Sequence, residues 1–319
     1  MKLVLGHRAS ILLYNILSAF PKDKKFILPA NVCPVVPLTF LKAKVPFEFV
    51  DIDAHSKCLD PALLLDTLST DRESYSGVLY VRAYGQQEDT TELFSDIKSI
   101  RESLYIIDDR CLSIPHLVNE NEMDNIDMTL FSTGYSKYVE LGYGGYAYIK
   151  DDGNYTSGNL PFKEQDHDTQ ISLIQDCLND RESFQYIEND WLGDTAVRLN
   201  EKEYLDLVVQ GVEPAAKQKN KINSIYDQHL PDDIKQGISN VWRYHIAVND
   251  KDAVLKKIFD AGLFASSHYA SVSDIFGNKK SPVAEKCHHE TINLFNDHRV
   301  DEEFAMKACE IIKENISLK

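Results

Sequence analysis

Lys137 is the residue around which chemistry can be built, because it stands alone between a hydroxyl-rich run and a glycine-rich one in the stretch FSTGYSKYVELGYGG at residues 131–145. Upstream, LYIIDD at residues 104–109 reads as a buried strand ending in two carboxylates. In an α/β sheet the side chains at the carboxyl ends of strands face the ligand crevice, so two neighbouring loops can present Asp109 and Lys137 to one bound molecule. A lysine amine forms a Schiff base with a carbonyl compound, and a carboxylate keeps a heteroaromatic ring nitrogen protonated so that the ring accepts electrons. Plainer readings stand beside these: a solvated surface lysine, an aspartate capping a turn beyond its strand, and a serine, Ser132, doing the same.

These residues need a scaffold. ILLYNILSAF at residues 11–20 places Ile11, Ile16 and Phe20, with Leu12 and Leu17, on the apolar face of a helix. Gly6 and His7 come just before it, where an ordinary glycine turn is the plainer reading and backbone amides with the helix dipole, aided by Arg8, are the phosphate-binding one. FILPANVCPVVPLTFLKA then offers a short strand, a proline-rich loop from Pro29 to Pro37 and a second helix, and VPFEFVDID a strand with the acidic edge Asp51 and Asp53. A helix over residues 61–68, the strand GVLYVRAYG and a helical segment over 90–100 follow. This alternation predicts a three-layer, mostly parallel α/β domain.

After Lys137, GGYAYIK is expected to return as a strand at a sheet edge, and residues 151–168 to form a surface excursion or domain transition. From 170 to 240 helical stretches are expected without a defined packing. A large domain over residues 1–238 and a smaller carboxy-terminal α/β domain over 239–319 are the expected division. In the smaller one VWRYHIAV forms a strand, residues 251–261 a helix, and residues 302–315 a last helix with Phe304, Ala308 and Ile311 at helical spacing.

Composition narrows the class. The chain has 319 residues, 43% hydrophobic and 26% charged, enough for a large core. With 50 acidic residues against 34 Lys and Arg, the formal net charge is -16 and no basic stripe appears. Binding to nucleic acid or to an anionic membrane is therefore not expected. The six cysteines lack paired metal spacing and read as reduced thiols, and no metal site is expected. The first residues show no basic region followed by a long apolar core, and no run reaches transmembrane length, so the expected location is cytoplasmic.

In order along the chain, FILPANVCPVV, VPFEFVDID, VRAYG, YIIDD, FSTGYSKYVELGYGG, LFASSHYASV and INLFNDHRV resemble the fold-type I pyridoxal-phosphate aminotransferases that act on nucleotide-linked keto sugars, the DegT/StrS type. The resemblance extends from about Leu5 to Ile312. It implies pyridoxal phosphate as cofactor, Lys137 as its covalent anchor and proton carrier, and Asp109 as partner of the pyridine nitrogen. It also implies Ser132, Gly6 and His7 at the cofactor phosphate and Cys33 near the ring-stacking position. Tyr84, His268, Tyr269 and Arg299 become candidates for the substrate side. The implied partners are an amino-acid donor such as glutamate, a nucleotide-linked keto sugar of surface-polysaccharide or other amino-sugar biosynthesis, and a second copy of the chain in a homodimer. Relatives with histidine in place of the lysine dehydrate their sugars, so a dehydratase is the neighbouring alternative and a cofactor-binding scaffold the more distant one. Three departures stand out. Leu112 occupies a position where the family often has a polar contact, Cys33 cannot stack like a ring, and the asparagine and arginine motif that reaches the phosphate across the dimer is not recognisable between 153 and 240.

Overall fold

The computed structural model describes residues 1–150, 155–158, 160–193, 200–237, 240–277 and 279–316. The alternation read from the sequence becomes β1 (Lys2–Gly6), α1 (Ala9–Leu17), β2 (Lys25–Pro29), α2 (Val35–Ala43), β3 (Phe47–Val50), α3 (Pro61–Thr70), β4 (Tyr75–Val81), α4 (Thr91–Ile100), β5 (Tyr105–Asp109), β6 (Met128–Ser132) and β7 (Gly145–Ile149). These seven strands form one sheet in the order β1-β7-β6-β5-β4-β2-β3. β2 to β6 pair in parallel, and β7 runs antiparallel to both its neighbours, β6 and β1. The expectation that residues 144–150 lie at a sheet edge is corrected. β7 is interior and all five of its residues are buried, whereas the amino-terminal β1 supplies the edge and leaves Lys2 exposed.

Strand alternation divides the core into two layers. Val78, Tyr80 and Ile106 point toward the face covered by Leu64 and Leu68 of α3 and Phe94 and Ile97 of α4. Leu79 and Ile107 point the other way, onto α1 and α2. α4 shows how little apolar surface such a helix needs. Only Phe94 and Ile97 of its ten residues are buried, each stabilising by about 1.5–3 kcal/mol, while Glu92 and Lys98 suit its two ends.

Two helices then lead to the carboxy-terminal unit: α5 (Glu164–Asp180) and the long α6 (Glu201–His229), which Asn200 caps at Glu203 N. β8 (Tyr244–Ala247) pairs antiparallel with β9 (Thr291–Leu294), accompanied by α7 (Lys251–Asp260), α8 (Ser273–Gly277), α9 (Pro282–Glu290) and α10 (Glu302–Asn315). α6 belongs to both units. Tyr204 and Val208 enter the core of the large sheet, whereas Ile222 and Tyr226 enter the core formed by β8, β9, α7 and α10. Residues 151–154 and 159 of the expected excursion, and residues 238 and 239 at the expected domain boundary, lie outside the described residues. In α10 the buried set is Ala305, Ala308, Cys309 and Ile312, so the helix is turned slightly from the expected face and Phe304 and Ile311 are half-buried. No helix among the described residues is long and apolar enough to cross a membrane.

Candidate functional site

The two aspartates at the end of β5 take opposite faces of the sheet. Asp108 is fully buried and holds two arginines. Arg82 donates from Nε to Oδ1 at 2.9 Å and from Nη2 to Oδ2 at 3.1 Å, and Arg110 Nε donates to Oδ2 at 2.7 Å. Its charge is spent on structure. Asp109 faces the other way, accepts the Cys111 backbone N–H at 2.9 Å, and is buried. Burial pushes its carboxyl above the usual range, against the opposing pull of the Cys111 bonds and the Lys137 charge.

Asp109 and Lys137 line one cavity with Asn31, Val32, Cys33, Val81, Ala83, Cys111, Leu112 and Tyr269. Its volume is about 30 Å³, room for a water or two, so an aromatic ring enters only if a wall such as Tyr269 swings aside. Cys33 is a wall residue whose thiol burial pushes up, so it stays protonated. Asn31 donates from Nδ2 to Lys57 O at 2.9 Å, which leaves its buried Oδ1 without a partner at this cavity. Sequence reasoning missed Asn31, for an asparagine beside prolines reads first as a turn.

A second cavity, of about 400 Å³, is lined by His7, Arg8, Ser132, Gly134, Tyr135, Gly142, Tyr143, Gly144, Phe162, His167 and Gly193. Glycines are required here because the start of α1 comes very close to β7. A Cβ on Gly145 would lie 2.8 Å from Ala9 N, and Gly144, with φ 93°, donates its N–H to His7 O at 2.7 Å. Gly6 lines neither cavity and pairs with Gly145 in the β1–β7 ladder. The first turn of α1 has no acidic residue, and Arg8 at its start gives no side-chain cap. The Ile11 amide bonds back to Arg8 O at 3.1 Å, and the positive end of the helix dipole beside this cavity favours an anion.

The four residues expected on the substrate side separate. Tyr269 lines the Lys137 cavity and stacks on Trp242, ring centroids 5.7 Å apart and planes at 19°. Tyr84 is fully buried with φ 56°, and its hydroxyl donates to His268 O at 3.2 Å and accepts from Tyr269 N at 3.3 Å. It therefore shapes the loop that carries the other two. His268 is exposed, and its carbonyl also accepts Asn293 Nδ2 at 2.7 Å. Arg299 is held by Glu140, with Nη2 to Oε1 at 2.6 Å, and by Asp297, with Nη1 to Oδ2 at 2.7 Å.

Around Lys137 the structure places residues that type and spacing did not single out. Ser136 has φ 62°, and its N–H donates to Glu140 Oε2 at 2.9 Å. Trp242 Nε1 donates to Ser136 O at 2.7 Å, and Arg243 Nη2 to Ser136 Oγ at 2.7 Å. Only the run VWRYHIAV, with an indole and a guanidinium at the mouth of a strand, hinted at such anchoring.

No family model matches the sequence, and no curated protein matches it at a significant level. Solved structures do resemble it. The sugar aminotransferase CalS13 from Micromonospora echinospora is 16% identical with a TM-score of 0.68, covering 98% of this chain and 87% of its own. A DegT DnrJ EryC1 StrS aminotransferase from Brucella abortus is 15% identical with a TM-score of 0.65, covering 100% and 87%. This chain shares the fold of these structures. The same fold is carried by the GDP-4-keto-6-deoxy-D-mannose-3-dehydratase of E coli, solved with bound hydrated pyridoxal phosphate, at 15% identity, a TM-score of 0.65 and coverage of 98% and 87%. Within this fold, Asp109 and Lys137 both stand at the carboxyl-end side of the parallel strands, where such sheets bind ligands.

Proposed function

We propose that this protein is a pyridoxal-phosphate enzyme that transfers an amino group from an amino acid, glutamate in the first instance, to a nucleotide-linked keto sugar of amino-sugar or surface-polysaccharide biosynthesis, in the cytoplasm. The observation that carries the reading is the shared cavity of Lys137 and Asp109 within a sugar-aminotransferase fold. The residue set fits the cofactor in its chemistry. Asp109 is a buried carboxylate short of positive partners, suited to a pyridinium N–H. Asn31 Oδ1 is a buried acceptor in need of a donor, and the uncapped first turn of α1 beside His7, Arg8 and Ser132 suits a phosphate. When bound, pyridoxal phosphate supplies an electron sink for a carbanion next to nitrogen.

The remaining work falls to this chain. Lys137 would anchor the cofactor through its amine and would carry a proton at Nζ to and from the substrate carbon. Asp109 keeps the ring nitrogen protonated by holding a negative charge in a site that opposes it. Tyr269, stacked on Trp242, is the wall that must yield to admit a ring. A primary amine at position 137 supports amino transfer over sugar dehydration.

The decisive experiment is trapping. Purified protein supplied with pyridoxal phosphate and borohydride should yield one modified peptide containing Lys137, and Lys137→Ala should yield none. A folded wild-type protein that gives no adduct at Lys137 overturns the reading in favour of the scaffold alternative. Amino-transfer assays should then compare nucleotide-linked keto sugars with the free sugars, pyruvate and 2-oxoglutarate, with dehydration followed separately. Faster turnover of small keto acids as sole acceptors, with no response to any nucleotide sugar, rejects the substrate assignment alone.

A further inference from the structure

We propose that Trp242 and Arg243, at the start of β8 in the carboxy-terminal unit, are positioning residues for Lys137, acting through Ser136. The inference rests on the reading that Lys137 captures the cofactor. Ser136 is a serine at φ 62°, a left-handed conformation that persists only where the surroundings hold it. Each of its three polar atoms is held by a different side chain. The N–H goes to Glu140, the carbonyl to Trp242 Nε1 at 2.7 Å, and Oγ to Arg243 Nη2 at 2.7 Å. Those side chains are themselves fixed. Arg299 grips Glu140, and Lys219 Nζ donates to Trp242 O at 2.8 Å. The Arg243 guanidinium lies between the rings of Trp242 and Phe295, 4.3 and 3.8 Å from their centroids.

On the other side of the lysine, Val139 fits against Gly211 of α6, where a Cβ would come within 2.6 Å of its Cγ1, and Leu141 N donates to Thr133 O at 2.8 Å. Beyond Ser136 the loop is thus pinned by packing, and the residue next to the lysine is pinned by β8. The same Trp242 ring stacks on Tyr269, a wall of the cavity. One side chain from the carboxy-terminal unit therefore sets both the lysine and the wall it faces. With the Trp242 bond removed, Ser136 gains access to ordinary right-handed or extended backbone, and the fraction of molecules with Lys137 aimed at Asp109 falls.

The test uses the full chain and reads capture of pyridoxal phosphate rather than turnover. Trp242→Phe keeps a ring on Tyr269 and removes the N–H donor. It should slow formation of the Lys137 adduct about fivefold or more, the worth of one buried hydrogen bond. Adding Ser136→Gly, which makes the left-handed backbone free of strain but also removes the Oγ that Arg243 holds, should recover part of the lost rate. An unchanged rate in Trp242→Phe, or a slow rate that Ser136→Gly does not raise, overturns the proposal. Hydrogen exchange of the amides of residues 134–141 in cofactor-free protein gives a second readout, expected to be about fivefold faster in Trp242→Phe. If wild type forms no adduct, the functional reading falls while hydrogen exchange still decides this one. Should Trp242→Phe not fold, Ser136→Ala removes only the Oγ acceptor. It should show the same faster exchange, and unchanged exchange in it refutes the strut.

Discussion

Asp108 and Asp109 are the same residue one position apart, and the pleat of β5 sends one to two guanidinium groups and the other to a cavity with a single amine. The second has a measurable signature. Because burial raises its folded-state pKa, Asp109 keeps its proton in the folded protein at pH values where the unfolded chain, near 3.8, has lost it. The native state then binds more protons, so the contribution is full below the unfolded value and is lost as pH rises through the folded one. Asp109→Asn should remove that decline and raise the thermal midpoint of the cofactor-free protein above this window. Each 1 kcal/mol regained corresponds to about 2–4 °C. On the proposed function the same variant should lower turnover on the order of a hundredfold, because a ring nitrogen would lose its charge partner. A midpoint profile over pH, set against the rate, checks both. Lys137 and Asp109 were legible in the sequence because lysine after a hydroxyl-rich run and aspartate after an apolar run are local facts. The state of Arg299 was not, since Glu140, which occupies its guanidinium, lies 159 residues away.

At the level of elements, α6 ties the two cores together, and Lys219 sits where they meet. Its ammonium is buried and donates to Trp242 O and to Asn296 Oδ1 at 2.9 Å, and burial pulls its pKa down from 10.5 to about 8. Between these values the unfolded chain retains a proton that the folded one has released, so this group makes stability rise with pH across the window. Lys219→Met should abolish the rise, which thermal midpoints measured from pH 7 to pH 10 would show. Capping gives a second case. Asp51, legible only as an acidic strand edge, accepts from Val283 N at 2.9 Å and Ala284 N at 3.0 Å and so closes the start of α9. Asp51→Ala should cost about 1 kcal/mol, read as a lower urea midpoint with an unchanged slope. The helix and its cap were invisible together, because 232 residues separate the acceptor from the first donor.

On the scale of the whole molecule, the alternating apolar strands and amphipathic segments made the layered sheet readable before any coordinates. The period of two and the helical period come from burial on one face, which is written locally. Strand order is not local, so β7 was placed at an edge and β9 passed unnoticed in a run as short as TINL. Beside the larger cavity, Tyr135 is 74% exposed and Tyr143 40% exposed, a poor surface to leave in water. If a second copy covers them, light scattering should give twice the chain mass over a wide concentration range. Tyr135→Glu should shift the protein toward monomer, and a wild-type protein that stays monomeric while binding cofactor and turning over normally would reject the expected homodimer.

The sheet order also has a consequence for synthesis. β1 is made first, yet its partner in the sheet is β7, which ends at Ile149. At about 5–20 residues per second, those first residues wait on the ribosome for roughly 7 to 30 seconds without a strand to join. Until β7 arrives, Gly145 cannot press against Ala9, and the start of α1 has no back wall. A nascent chain therefore completes this side of the larger cavity late, after both Asp109 and Lys137 have already been translated.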